Sequence, residues 1–251
     1  MKYLTHCGLF FVVVVLLFQP LKGQTDTEFW FAAPEVSSDH GDRPIGLRLS
    51  SPEQAATAVV SIPANPDFVP LTLNIPAGQT INFDLSSQIQ RIENFPANTV
   101  LSKGLHIEAS RAITAYYEVT HSNNPEIFLL KGSNALGKNF YIPSQMHFPN
   151  IHGHESFEIV ATRDQTTITI TLSAAITGRS AFSTFSIVLN RGETWSGRAI
   201  DTQGSGSLSG TRIVSDKPIA VTISDDSIRI GGGWDLIGDQ LVPVELLGEE
   251  Y

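Results

Sequence analysis

The chain has 251 residues, with 16 Lys and Arg against 25 Asp and Glu; its formal net charge of −9 repels nucleic acid and anionic membrane surfaces. A hydrophobic content of 41% is too high for a disordered tail, and the length is sufficient for two domains of ordinary size. The single cysteine, Cys7, falls in the N-terminal leader, so the mature chain is expected to have neither disulfides nor a thiol nucleophile.

The leader comes first. Met1-Lys2 gives a positive start, Leu9 to Phe18 is an apolar run, and Leu21-Lys22-Gly23 ends in a small residue before Gln24. This pattern predicts a secretory signal peptide over residues 1–23. The apolar run is too short for a spanning helix, which takes about 20 residues, so the mature chain is expected without a transmembrane segment, outside the cell or at its surface. Cleavage removes two lysines and no acids and takes the net charge from −9 to −11, in keeping with the solubility of an extracellular protein.

Phe29, Phe140 and Tyr251 stand 111 residues apart, each in a similar phrase, which predicts an internal duplication. The stretch from Gly104 to Ala115 aligns without gaps on Gly210 to Val221 at an offset of 106, and Leu73 to Thr80 aligns on Ile187 to Thr194 at an offset of 114. Drifting offsets are what loop insertions between equivalent strands produce. The predicted organisation is a first β repeat unit over residues 24–137, a second over 138–248, and the start of a third over 249–251.

Within the first copy, short runs of alternating apolar and polar residues predict strands around Phe29-Trp30-Phe31 and over Ile45 to Leu49, Thr57 to Ile62, Leu71 to Ile75, Thr80 to Leu85, Leu105 to Glu108, Ile113 to Val119 and Ile127 to Leu130. Thr166 to Leu172 is a clear case in the second copy, with β-branched residues suited to a pleated surface. Gly78 and Gly192 stand where a hairpin needs a positive φ. Ser110-Arg111-Ala112 and Ser215-Asp216-Lys217-Pro218 read as tight turns, and only residues 86–98 suit a helical turn, ended by Pro96. The fold class is all-β: tandem antiparallel β-sandwich-like units of about eight strands each, or alternatively part of a β-propeller with two four-stranded blades per repeat.

Residues carrying chemistry are sparse. His147, His152, His154 and Glu155 concentrate metal-binding types, and His152 and His154 would face one side of an extended segment. Asp225-Asp226, Asp235 and Asp239 offer oxygen ligands, but without the alternating order of a dedicated calcium loop. A structural metal ion on His152 and His154, or on Asp235 and Asp239, is therefore an alternative to a chain without cofactors. The serine-rich run Gly204 to Gly210 contains no nucleophile elbow, and no pair of carboxylates stands out as catalytic. Trp30 aligns with Tyr141 and reads as core, whereas Trp234, beside Gly231-Gly232-Gly233, is the candidate for an exposed ligand-binding residue.

Thr27-Glu28-Phe29-Trp30-Phe31-Ala32, Gly104-Leu105-His106-Ile107, Ala135 to Tyr141, Ser215-Asp216-Lys217-Pro218-Ile219 and Asp239-Gln240-Leu241-Val242-Pro243 resemble the IgGFc-binding protein N-terminal domain family over nearly all of the mature chain. The resemblance implies a secreted binding or adhesion module of a kind common among Bacteroidota, often similar to gliding-motility proteins, with no catalytic residue to carry over. The expected function is non-catalytic binding of a protein or glycan ligand at the cell exterior. A carbohydrate-binding accessory domain or glycan-active enzyme, and a structural spacer of a long surface protein, are the alternatives.

Overall fold

Short runs rich in Val, Ile, Thr and aromatic residues, punctuated by Pro, Gly and Asn, fold into fourteen strands among the residues described by this computed structural model, which are 24–38, 41–122 and 124–248. The predicted leader and the expected start of a third unit lie outside the described residues. The first seven strands are β1 (Asp26–Phe31), β2 (Ile45–Ser51), β3 (Ala56–Ser61), β4 (Leu71–Ile75), β5 (Gln79–Asp84), β6 (Leu105–Val119) and β7 (Glu126–Leu130). The second seven are β8 (Gly137–Tyr141), β9 (Glu155–Ala161), β10 (Thr166–Thr171), β11 (Thr184–Leu189), β12 (Thr194–Arg198), β13 (Arg212–Ile230) and β14 (Gly233–Gln240). A short helix α1 (Ile89–Ile92) falls where the helical turn is predicted.

Each set of seven makes one antiparallel sheet, in the order β4-β3-β6-β2-β5 with β1 and β7 also on β6, and β11-β10-β13-β9-β12 with β8 and β14 also on β13. The long central strand serves both layers of its sandwich. The first half of β6 pairs with β1 and β3, and its second half with β2 and β7. The segments Leu105 to Glu108 and Ile113 to Val119 are therefore one bent strand, and each unit has seven strands where the sequence suggests about eight. The tight turns expected at Ser110-Arg111-Ala112 and at Ser215 to Pro218 are bends inside β6 and β13. Pro218 has no N–H to give the ladder, and the pairing of β13 with β8 shifts between Val214 and Ile219.

Strand pairings in the two sheets correspond. Phe29 pairs with Ile107 and Phe140 with Ile213. Ala109–Ala58–Leu73 crosses the first sheet as Ser215–Ile168–Ile187 crosses the second. Leu49 pairs with Ala115 as Ile159 pairs with Val221. Equivalent strands are thus displaced by 111, 106, 110 and 114 residues, the differences being absorbed in loops.

Gly78 and Gly192 have φ of +68° and +80°. The turns that contain them do not close hairpins: each carries the chain from one layer of its sandwich to the other, and the Gly78 and Gly192 N–H groups donate to the Ser51 and Ala161 carbonyls. At Gly192 a Cβ would stand 2.9 Å from the Ala64 nitrogen in the first unit, whereas at Gly78 the nearest atom is 4.0 Å away. Gly192→Ala is expected to cost about 1–3 kcal/mol and Gly78→Ala the smaller, purely conformational part of that range. Urea denaturation of the two variants measures the difference, and equal costs would remove the inter-unit contact from the account.

Each unit has its own core, around Phe29, Phe31, Tyr117 and Phe128 in the first and around Phe140, Phe157, Trp195 and Ile213 in the second. A third cluster, Trp30, Ala32, Ala135, Val160 and Ala220, lies between them. Trp30 stacks on His106 at 4.0 Å between ring centroids and is 2% exposed. Its repeat partner Tyr141 is 53% exposed, because the second unit covers the outward face of β1 and no described residue covers that ring on β8 to the same degree.

Candidate functional site

The two copies differ at one end of the sandwich. In the first unit, Phe31, Tyr117 and Phe128 pack ring against ring, with centroids 5.0 to 6.0 Å apart, over the buried pair Ile45 and Val119. The register gives the counterparts. Phe31 corresponds to Ile142, whose N–H donates to the Thr211 carbonyl as β8 leaves the sheet. Tyr117 pairs with Phe128, and its counterpart Ile223 pairs with Asp239. Ile45 and Val119 become Glu155 and Asp225. Three aromatic rings and two aliphatic side chains are thus replaced by two isoleucines and three carboxyl groups.

What results is a cleft of about 470 Å³, open to solvent, with Ile142, Pro143, Ile223 and Ile237 among its apolar walls and Glu155 and Asp225 among its polar ones. Both carboxyl groups are buried. Burial, opposed by hydrogen bonds from Ser144 and Leu208 and aided by repulsion from Asp225, pushes the Glu155 carboxyl up to about 7. Burial likewise raises Asp225, against hydrogen bonds from Asn150 and Gln145. The Leu208 N–H donates to Glu155 Oε1 at 2.8 Å, and the Gln145 and Asn150 amides donate to the two oxygens of Asp225 at 2.8 and 2.5 Å. Each oxygen so engaged keeps a further lone-pair direction. The arrangement can accept a hydrogen bond from a bound group.

Of the sequence candidates, Asp239 lines this cleft. Trp234 is 46% exposed near the tip of the β13–β14 hairpin, and His152 meets it edge to face with ring centroids 5.9 Å apart. The loop carrying His152 follows the end of β13 through hydrogen bonds from Ile151 N–H to the Ser227 carbonyl and from Arg229 N–H to the Pro149 carbonyl, bringing exposed Phe148 and Ile151 to the same end. His154 does not join His152: its Nδ1 lies 3.0 Å from the Ala199 carbonyl. Asp235 accepts the Leu236 N–H, and Asp239 pairs with Lys131 of the first unit. Among the described residues no three His, Cys, Asp or Glu side chains gather to hold a metal ion. Sequence reasoning missed the cleft; the signal was present, since extending the copy alignment beyond Val221 and ahead of Ile159 sets charged residues against core positions.

A family model described as IgGFc binding protein matches residues 126–251. No curated protein sequence matches the chain. Among solved structures, a calcium-binding mutant of Bacteroides uniformis beta-glucuronidase 2 is 11% identical, with 86% of this chain and 26% of that chain covered and a TM-score of 0.22. The apo structure of Ruminococcus gnavus b-glucuronidase is 10% identical, with 86% and 35% covered and a TM-score of 0.19. The chain spans about a quarter to a third of the length of these enzymes, and likeness at these scores carries no argument. Among the described residues no helix is long and apolar enough to cross a membrane.

Proposed function

The chain belongs to the IgGFc binding protein family, and from this we propose that it is a non-catalytic binding module of the cell exterior that takes a protein ligand on its second unit. The observation that carries the reading is the cleft: positions that form a packed core in one copy line an open, largely apolar recess in the other. Exchanging buried aliphatic residues for carboxyl groups costs folding stability, and a binding surface accounts for such an exchange. Exposed Trp234, Phe148 and Ile151 add the aromatic and aliphatic area on which protein interfaces depend.

Biolayer interferometry with the immobilised chain against immunoglobulin G Fc, other extracellular glycoproteins and free glycans tests the proposal. Saturable binding of a protein without chemical change to it is the expected result. Turnover of any glycan would replace the reading with the enzymatic alternative, and failure to bind any member of the panel would favour the spacer. Trp234→Ala is expected to weaken the observed affinity by about tenfold or more. Because its side chain is half exposed, the same substitution should leave the melting temperature nearly unchanged.

A further inference from the structure

We propose that the cleft of the second unit is a socket for a phenolic ring, the side chain of a tyrosine on a protein partner. The inference rests on the binding reading above and adds to it the chemistry of the group that enters.

The first unit shows what this part of the fold holds when it is full. Phe31, Tyr117 and Phe128 occupy it and are almost wholly buried, and the core they belong to also receives Leu236 from β14 of the second unit. A Cβ at Gly238 would come within 2.2 Å of the Phe128 ring, so β14 lies directly on that ring. Among the described residues the second core, around Phe140 and Trp195, draws on the second unit alone, and where the aromatic trio would stand there is the recess.

At about 470 Å³ the recess is larger than one ring and has room for a ring together with neighbouring atoms of the chain that carries it, and its apolar walls at Ile142, Ile223 and Ile237 suit the face of a ring. Its buried polar side is what distinguishes it from a plain hydrophobic slot. Glu155 and Asp225 stand where the first unit has Ile45 and Val119, so carboxyl groups line the recess together with its apolar walls and can receive a hydroxyl carried by an inserted ring. Glu155 is hydrogen-bonded by Leu208, Ser144 and Ser207 and Asp225 by Gln145 and Asn150, and with about four acceptor directions on each carboxylate Asp225 has the more room for a further donor. A phenol supplies both the ring and the donor; a benzyl group lacks the donor, and an alkylammonium lacks the ring.

The test uses the full chain and three small probes, p-cresol, toluene and n-butylamine, followed by amide chemical shifts of Ile223 and Ile237. Saturable shifts with p-cresol are expected, at about three- to tenfold higher affinity than toluene, the margin of one hydrogen bond. Asp239→Phe restores the residue type of the first unit and should abolish the p-cresol response; if that variant does not fold, Ile237→Trp fills the same wall. The proposal is overturned if p-cresol gives no saturable shift, if toluene binds as tightly, if n-butylamine is the best ligand, or if a folded cleft-filling variant still responds. Protein binding that survives a failed p-cresol titration removes the socket alone. A working socket in a chain that binds no protein removes the broader reading.

Discussion

Phe140→Ala is expected to lower the stability of the chain by about 3–5 kcal/mol, the range for deleting a fully buried aromatic side chain that leaves a cavity. Phe140 is 1% exposed on β8, where it pairs with Ile213 and joins the core of Phe157, Ile159 and Trp195. Phe29 holds the same place in the first unit, 1% exposed and paired with Ile107, and Phe29→Ala should fall in the same range. The adjacent residue supplies the control. Tyr141 points away from the core and is half exposed, so Tyr141→Ala should cost no more than about 1 kcal/mol. Urea unfolding at one temperature gives all three values. A Phe140→Ala cost no larger than that of Tyr141→Ala would take Phe140 out of the core, and with it the reading of the 111-residue spacing as the mark of equivalent first strands.

Much of this fold was legible because the chain states it twice. A β-period is ambiguous in one short run, but Gly104 to Ala115 and Gly210 to Val221 repeat the same apolar positions, and pairing of β6 and β13 with equivalent neighbours follows. What could not be read was how the halves of each long strand connect. Ser110-Arg111-Ala112 has the composition of a turn, yet a bent strand keeps its backbone hydrogen bonds while passing from one layer to the other. The same limit applies to Gly78 and Gly192, whose positive φ was foreseeable from residue type while the layer change was not. At the candidate site, Trp234 could be singled out from its glycine neighbours, but the cleft depends on Glu155, Asp225 and Asp239 converging from three strands. Burial of Trp30 was legible; that its repeat partner Tyr141 stays exposed reflects which unit covers which, a fact of tertiary packing.

Stability should fall as pH rises from about 5 to about 8, opposite to the course expected where carboxylates are held ionised by partners. Burial raises the Glu93 carboxyl from 4.5 to about 9, helped by repulsion from Glu35 and Asp42 and opposed by the Val36 N–H and Arg43. Burial raises Glu158 to about 8, against a hydrogen bond from Ser156 and the attraction of Arg198. One oxygen of each, Glu93 Oε1 and Glu158 Oε2, has no hydrogen-bond partner among the described residues. Arg198 is engaged with Glu35, and the Lys103 ammonium beside Glu93 donates to the Glu93 and Phe95 carbonyls. Below the unfolded value of 4.5 both states hold these protons and nothing is lost. Between that value and the folded ones, the unfolded chain releases protons that the folded chain retains, so unfolding gains free energy with each step in pH. For Glu93 at pH 7 this amounts to on the order of 3 kcal/mol. The carboxyl groups with lowered values, Asp26, Asp84 and Glu245, act in the other direction but below about pH 4.5, outside this window, whereas burial lowers His106 from 6.5 and so opposes the trend inside it; the fall is the sum of the raised carboxyl groups, Glu93 and Glu158 foremost, against that imidazole. Glu93→Gln keeps an acceptor for the Val36 N–H and removes the titration, so it should raise the melting temperature at pH 7 and leave it nearly unchanged at pH 4.5. Glu158→Gln should do the same to a smaller extent, and because Glu35 lies near both groups the double variant should gain less than the two single gains together. Melting temperatures that rise between pH 5 and 8, or a Glu93→Gln chain less stable than its parent at pH 7, would show that these carboxyl groups are ionised and paired in the folded protein.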